Sequence, residues 1–331
     1  MEAGKLDAAD LINNVFPFTG VKRAEVILRA ALGEDSAAIG LDDWCCVLSS
    51  DPITGAAREN GWLAIHVTCN DLASNGAEPV GVLLTLLLPE GRNAGDVKEI
   101  MVSAHRAALE LGVEIIGGHT EFTYGLKEPI ICATAVGKAK KGELISSAGA
   151  RPGDDIVVTK GAGLEGTAIL ALDYAEQLRG LITGELLTGA QDFLRFISVV
   201  PEGRIAAGLK ATAMHDVTEG GILGALYEVA EASGVGIEVW QDAIPVHPET
   251  KAVTAALGLD PLKLISSGSM LITAADGAAL VESLKEAGIQ AAVIGRVTSG
   301  PEKTLYTEEV QTEISKPESD ELWRAKKLLE A

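Results

Sequence analysis

The chain has 331 residues, enough for two domains of ordinary size. Its 47% hydrophobic content, 37 glycines and 4% aromatics describe a globular α/β protein rich in tight turns and argue against disorder. A net charge of −20 argues against a nucleic-acid polymer as partner, since such binding needs Lys and Arg against phosphates. A nucleotide stays open, because carboxylates hold Mg²⁺ and Mg²⁺ holds phosphates.

Residues 1–32 carry a helical pattern (Leu6, Leu11, Ile12, then Val26, Ile27, Leu28) broken by Phe16-Pro17-Phe18. A turn at Gly33-Glu34-Asp35-Ser36 leads into a strand. Residues 45–50 form a short apolar strand that stops at Ser50-Asp51-Pro52, where a following proline fixes the carboxylate of Asp51. As a plain turn-former Asp51 has equal standing.

Residues 61–79 read as a helix ending in a turn, with Ile65, Cys69, Leu72, Ala73 and Gly76 on one buried stripe. Asn70 and Asp71 fall inside it and need partners, because an unpaired buried charge is costly. The small residues that follow allow another backbone to come close. A helix C-cap with a solvated Asp is the plain alternative.

Residues 80–88 are a buried strand, too short to span a bilayer. Residues 94–112 are an amphipathic helix with a glycine cap, which leaves His105 on the surface. A strand at 113–116 runs into Gly117-Gly118-His119-Thr120-Glu121, read as a turn whose backbone amides can approach an anion. Residues 129–137 are a further strand. The polar stretch 138–152 marks a domain boundary, giving domains 1–148 and 149–331.

A strand at 156–159 precedes Lys160-Gly161-Ala162-Gly163-Leu164-Glu165-Gly166 and a helix over 168–175. Gly161, Gly163 and Gly166 fit GxGxxG literally, so a dinucleotide oxidoreductase stays as one weak alternative. Helix amides near a phosphate are another, with Lys160 as a phosphate contact. Residues 204–213 read as helix, followed by His215-Asp216-Val217-Thr218-Glu219-Gly220-Gly221. His215 and Asp216 could be an acid–base pair on the acceptor side, though neighbours in sequence rarely face each other, which favours a structural histidine. Strands at 236–240, 270–273 and 292–297 alternate with helices at 249–258 and 276–288, a layered α/β domain, and a helix closes the chain over 315–331. His66 and His247 carry no signal. Cys45, Cys46, Cys69 and Cys132 form no CxxC and read as structural thiols. The N-terminus MEAGKLDAAD has no signal-peptide pattern, so a cytoplasmic protein without membrane contact is expected.

Taken in order, GEDSAAI, SDPITG, NDLASNGAEP, GGHTE, TKGAGLEGTAIL and HDVTEGGILGAL resemble the AIR synthase (PurM-like) superfamily, nearest its hydrogenase-maturation HypE branch, over almost the whole chain. The resemblance implies an α+β protein of two domains: an N-terminal sheet domain that dimerises and a C-terminal layered α/β domain. It implies ATP and Mg²⁺ in a cleft between domains and subunits, with Asp35, Asp51, Asp71 and Glu121 on the metal, Asn70 alongside, and Gly117, Gly118, His119 and Thr120 at the phosphate end. HDVTEGG would face an acceptor that is phosphorylated or dehydrated at a carbonyl or amide oxygen. Two departures stand out. HypE proteins carry a C-terminal cysteine, whereas Cys132 is the last cysteine here, and the usually acidic position before Gly268 holds Ser267. The resemblance therefore implies either an enzyme acting on an unidentified small acceptor or a non-catalytic nucleotide-binding partner in metallocentre maturation.

Overall fold

In the computed structural model, which describes residues 6, 8–308, 310–316 and 319–330, each half of the chain builds its own sheet. The N-terminal residues 1–5 and 7, and residues 317, 318 and 331 of the expected C-terminal helix, lie outside the described residues. The first half contains α1 (Ala8–Asn14), β1 (Val26–Leu28), β2 (Ala37–Leu41), β3 (Trp44–Ile53), α2 (Asn60–Ser74), β4 (Glu78–Pro89), α3 (Ala94–Leu111), β5 (Glu114–Thr123) and β6 (Ile130–Lys140). Its six strands run in the order β1-β2-β3-β6-β4-β5, antiparallel except for the parallel β4–β5 edge.

Side chains alternate along these strands with the period of two that a pleated strand imposes. Cys45, Val47, Ile131, Ala133 and Ala135 face α2 and α3 and are buried. Helix α2 is the centre of this layer, with every residue buried except half-buried Trp62. Two glycines explain how backbones come so close to it. A Cβ on Gly61 would stand 2.2 Å from the carbonyl oxygen of Ile100 in α3. The opposite end of α2 meets the second domain, where a Cβ on Gly203 would stand 2.3 Å from the carbonyl oxygen of Ala73.

The second half begins at β7 (Asp155–Thr159) and continues through α4 (Leu164–Asp173), α5 (Ala175–Leu178), α6 (Gly184–Gln191), α7 (Val200–Gly208) and β8 (Ala213–Asp216). Helix α8 (Gly221–Ser233), β9 (Gly236–Trp240), α9 (Pro248–Leu257), β10 (Met270–Ala274) and α10 (Gly277–Glu286) follow. The last elements are β11 (Ala291–Thr298), β12 (Lys303–Tyr306), β13 (Gln311–Glu313) and α11 (Glu321–Leu329). The seven strands order as β13-β12-β9-β11-β7-β10-β8, and only β9–β12 is parallel. Strands and helices alternate in sequence, yet the pairing lacks the parallel βαβ core of a dinucleotide-binding sheet.

Several local expectations are corrected. Residues 26–28 form a strand, not a helix, because the apolar triplet pairs with β2. β3 runs on through Asp51 and Pro52 to Ile53 instead of stopping at Ser50. Gly117 and Gly118 lie inside β5 and not in a turn, since a Cβ on Gly118 would stand 1.8 Å from the carbonyl oxygen of Leu84. The helix expected over 204–213 ends at Gly208, and Lys210 takes a left-handed φ of 60° before β8 begins. The four cysteines are free thiols. Among the described residues no helix is long and apolar enough to cross a membrane.

Candidate functional site

Four carboxylates from four separate segments meet where the two domains touch. Asp35 precedes β2, Asp51 sits in β3, Asp71 in α2, and Asp216 ends β8 of the second domain. Asp71 is buried, and its carboxyl is pushed well above the usual range, first by that burial and then by the charges of Asp51, Asp216 and Asp35. Ser49 on β3 ties the group together. Its hydroxyl donates to the Asp71 carboxylate and lies 3.1 Å from the Asp35 carbonyl oxygen. Ser36 donates to the Asp71 carbonyl oxygen at 3.0 Å, and Ser74 donates to Asp216 Oδ1 at 3.2 Å.

His215 enters from the second domain and is 3% exposed. Its Nδ1 lies 2.8 Å from Asp35 and its Nε2 2.9 Å from Glu228 on α8. Burial alone would lower its basicity, but the two carboxylates win and hold the imidazole well above its ordinary pKa. Ligand atoms of Asp35, His215 and Asp216 lie within 4.8 Å of one another; with both imidazole nitrogens engaged by carboxylates, a metal ion here would rest on the carboxylate oxygens. Crowded carboxylates with like-charge repulsion fit a hard dication, which takes oxygen ligands and removes the repulsion.

Other expected site residues lie apart from this cluster or have other partners. Asn70 donates to the carbonyl oxygen of Ile197 and accepts from the amide of Val199, both at 2.8 Å. Lys160 is buried against Glu202 at 2.6 Å. The glycine loop uses its amides internally: Ala162, Gly163 and Gly166 donate to the Pro245 carbonyl, the Ser266 hydroxyl and the Ile265 carbonyl. Across the first sheet, Asp51 pairs with Ala133, Ala133 with Leu84, and Leu84 with Gly118. Three strand spacings put Gly118 roughly 14 Å from Asp51 within one chain. His119 and Glu121 on that edge strand are exposed and bond each other at 3.1 Å, with Thr120 between them, and this contact holds the Glu121 carboxyl low.

The cluster also contains residues that sequence reasoning missed. Ser49 and Ser74 are ordinary strand and helix residues by pattern, and Glu228 lies on a helix without a motif. His66, which gave no signal, is buried with its ring 4.5 Å from that of Trp62, and burial takes its imidazole down to about 3, so it is neutral.

The descriptions "AIR synthase related protein, N-terminal domain" and "C-terminal domain" match residues 33–139 and 151–308. A putative hydrogenase expression/formation protein of Methanocaldococcus jannaschii is 32% identical, over 80% of this chain and 79% of its own length. Carbamoyl dehydratase HypE of Cupriavidus necator is 34% identical, over 74% of this chain and 70% of its own length. Among solved structures, Escherichia coli HypE superposes with a TM-score of 0.73 at 25% identity, over 85% of this chain and 88% of that one. A HypE in complex with ATP gives 0.71 at 24%, over 97% and 98%, and AaThiL complexed with AMPPCP and TMP gives 0.70 at 22%, over 86% and 90%. With both halves matched in order and a two-sheet fold shared with these structures, the chain belongs to the AIR synthase related family.

Proposed function

We propose that this chain is an ATP- and Mg²⁺-dependent enzyme that phosphorylates or dehydrates a small carbonyl or amide acceptor. The observation that carries this reading is the meeting of Asp35, Asp51, Asp71 and Asp216, with Asp71 buried among like-charged neighbours. Asp35, Asp51 and Asp71 would hold Mg²⁺, which supplies charge neutralisation for a nucleotide's phosphates. Ser49 keeps the Asp71 and Asp35 segments in register, and His215 and Asp216 bring the second domain to the same place. Relatives named carbamoyl dehydratase support the dehydratase side of the reading, and shared-fold proteins bound to ATP or AMPPCP support the nucleotide.

A homodimer belongs to the same reading. One face of the first sheet has no helix over it, and Val80, Leu83 and Ile116 are 39–51% exposed there. Strands β4 and β5 line the edge of that face, so a part for Gly117, Gly118 and His119–Glu121 in nucleotide binding is proposed for the dimer. The shared fold of HypE in a HypE–HypF complex supports a maturation partner protein as well.

The test is thermal unfolding with ATP and Mg²⁺, separately and together. Ligand at about a hundred times its dissociation constant adds roughly 2.7 kcal/mol, a shift of several degrees. A shift that needs both components, and that Asp71→Asn abolishes without loss of fold, is the expected result. No shift at millimolar Mg·ATP overturns the reading. A shift without turnover on any acceptor selects the non-catalytic partner instead.

A further inference from the structure

We infer that His215 is a positioning residue, carrying the hold of Glu228 across the domain boundary to the Asp35 carboxylate and so setting the cluster's affinity for a divalent cation. The inference rests on the reading above that the cluster takes a cation.

The segment around Asp35 has no regular structure of its own, yet each residue in it is held. Asn75 and Ser146 donate to the Glu34 carboxylate at 2.8 and 2.5 Å. Ser36 bonds the Asp71 carbonyl oxygen. The Asp35 side chain between them is met by His215. His215 is on β8, paired with β10 through Leu271, and its far nitrogen is fixed by Glu228.

A second contact places the same helix against the same loop. Gly33 takes a φ of +71°, and a Cβ there would stand 3.3 Å from the Glu228 carbonyl oxygen and 3.4 Å from its Cβ. The loop that presents Asp35 therefore touches α8 at Glu228 twice, once through backbone packing and once through the imidazole. Hydrogen-bond partners behind a metal ligand fix its orientation, and losing one typically costs 10–100-fold in affinity. In this chain the partner comes from the other domain, so cation binding by first-domain carboxylates depends on the second domain being in place.

The experiment titrates Mn²⁺ into the full chain and follows free Mn²⁺ by electron paramagnetic resonance, with unfolding curves to confirm that each variant folds. His215→Ala is expected to weaken binding about 10–100-fold. His215→Asn, whose amide can stand in for Nδ1–H, is expected to restore most of it. Glu228→Ala is expected to weaken binding by a smaller factor, and the double variant to bind no more weakly than His215→Ala, because Glu228 acts through His215. A His215→Ala protein that binds Mn²⁺ as tightly as wild type, or more tightly, overturns the inference. So does a double variant whose losses multiply, or an Asn variant no better than Ala. If wild type binds no Mn²⁺ at millimolar concentration, the cation reading itself fails, a result separate from the others.

Discussion

Lys160 and Glu202 form an ion pair 2.6 Å long in the protein interior, with side-chain exposures of 14% and 1%. The ammonium also donates to the carbonyl oxygens of Phe196, Ser198 and Gly268. Asn70, reaching over from the first domain, takes the alternate groups of the same segment, the Ile197 carbonyl and the Val199 amide. Residues 196–199 are thus gripped from both sides, by one side chain from each domain.

Removing one member of a buried pair leaves the other as an uncompensated charge, which costs about 3–5 kcal/mol. Lys160→Met is expected to lose that much in urea unfolding. Lys160→Met with Glu202→Leu is expected to recover most of it, since replacing both charges by apolar groups is often neutral. A double variant as unstable as the single one would show that Lys160 acts through the carbonyls and not through Glu202.

Asn70→Ala removes two buried hydrogen bonds at once and strands a carbonyl and an amide inside the protein. Each orphaned group costs about 1–3 kcal/mol, so a loss of about 3 kcal/mol is expected in the same unfolding assay. Asn70 and Lys160 act on the same four residues, so their effects should not add. Simple additivity in a double-mutant cycle would mean that the two grips are independent.

The sequence made the scaffold of this arrangement readable and hid its contacts. The stripe through Ile65, Cys69 and Leu72 announced α2, and a carboxylate and an amide inside so apolar a helix announced that both had partners. Which partners could not be read, because Ile197 and Val199 lie 127 and 129 residues away and no local periodicity encodes such a distance. The proline after Asp51 suggested the end of a strand, yet β3 runs through it to Ile53. Glu228 was not legible, because its importance comes from where α8 packs, against Gly33. Gly117-Gly118 misled because a glycine pair signals close backbone approach in a sheet as readily as it signals a turn.

The uncovered face of the first sheet gives a prediction about assembly. Leu83 is 39% exposed beside Val80 and Ile116, and burying a lysine there in a subunit contact would be costly. Light scattering after gel filtration is expected to give a dimer for wild type and a monomer for Leu83→Lys, with unchanged far-UV circular dichroism showing that the variant is folded. A wild-type monomer at micromolar concentration would remove this face from the account of assembly.

Glu165 gives a prediction about pH. It lies in the first turn of α4, is 5% exposed, and its Oε2 has no hydrogen-bond partner. Burial pushes its carboxyl up to about 7; the polar groups of nearby Ser267 pull the other way, and the charges of Asp320 and Glu219 push further up. The folded protein therefore binds this proton more tightly than the unfolded chain, whose carboxyl keeps the ordinary value of about 4.5. Stability is then lost as pH rises from about 4.5 to about 7, and the full cost of the buried charge is present above that range. The difference corresponds to about 3 kcal/mol. Glu165→Gln keeps the shape and removes the charge, so it is expected to stabilise the protein by about that amount at pH 8 and by little at pH 5. Asp320, pushed up to about 6 by burial, adds a slope of the same sign that the variant leaves in place. Urea midpoints for wild type and variant across pH 5–8 decide the matter, and a gain that is equal at both ends would mean that the Glu165 carboxyl does not titrate there.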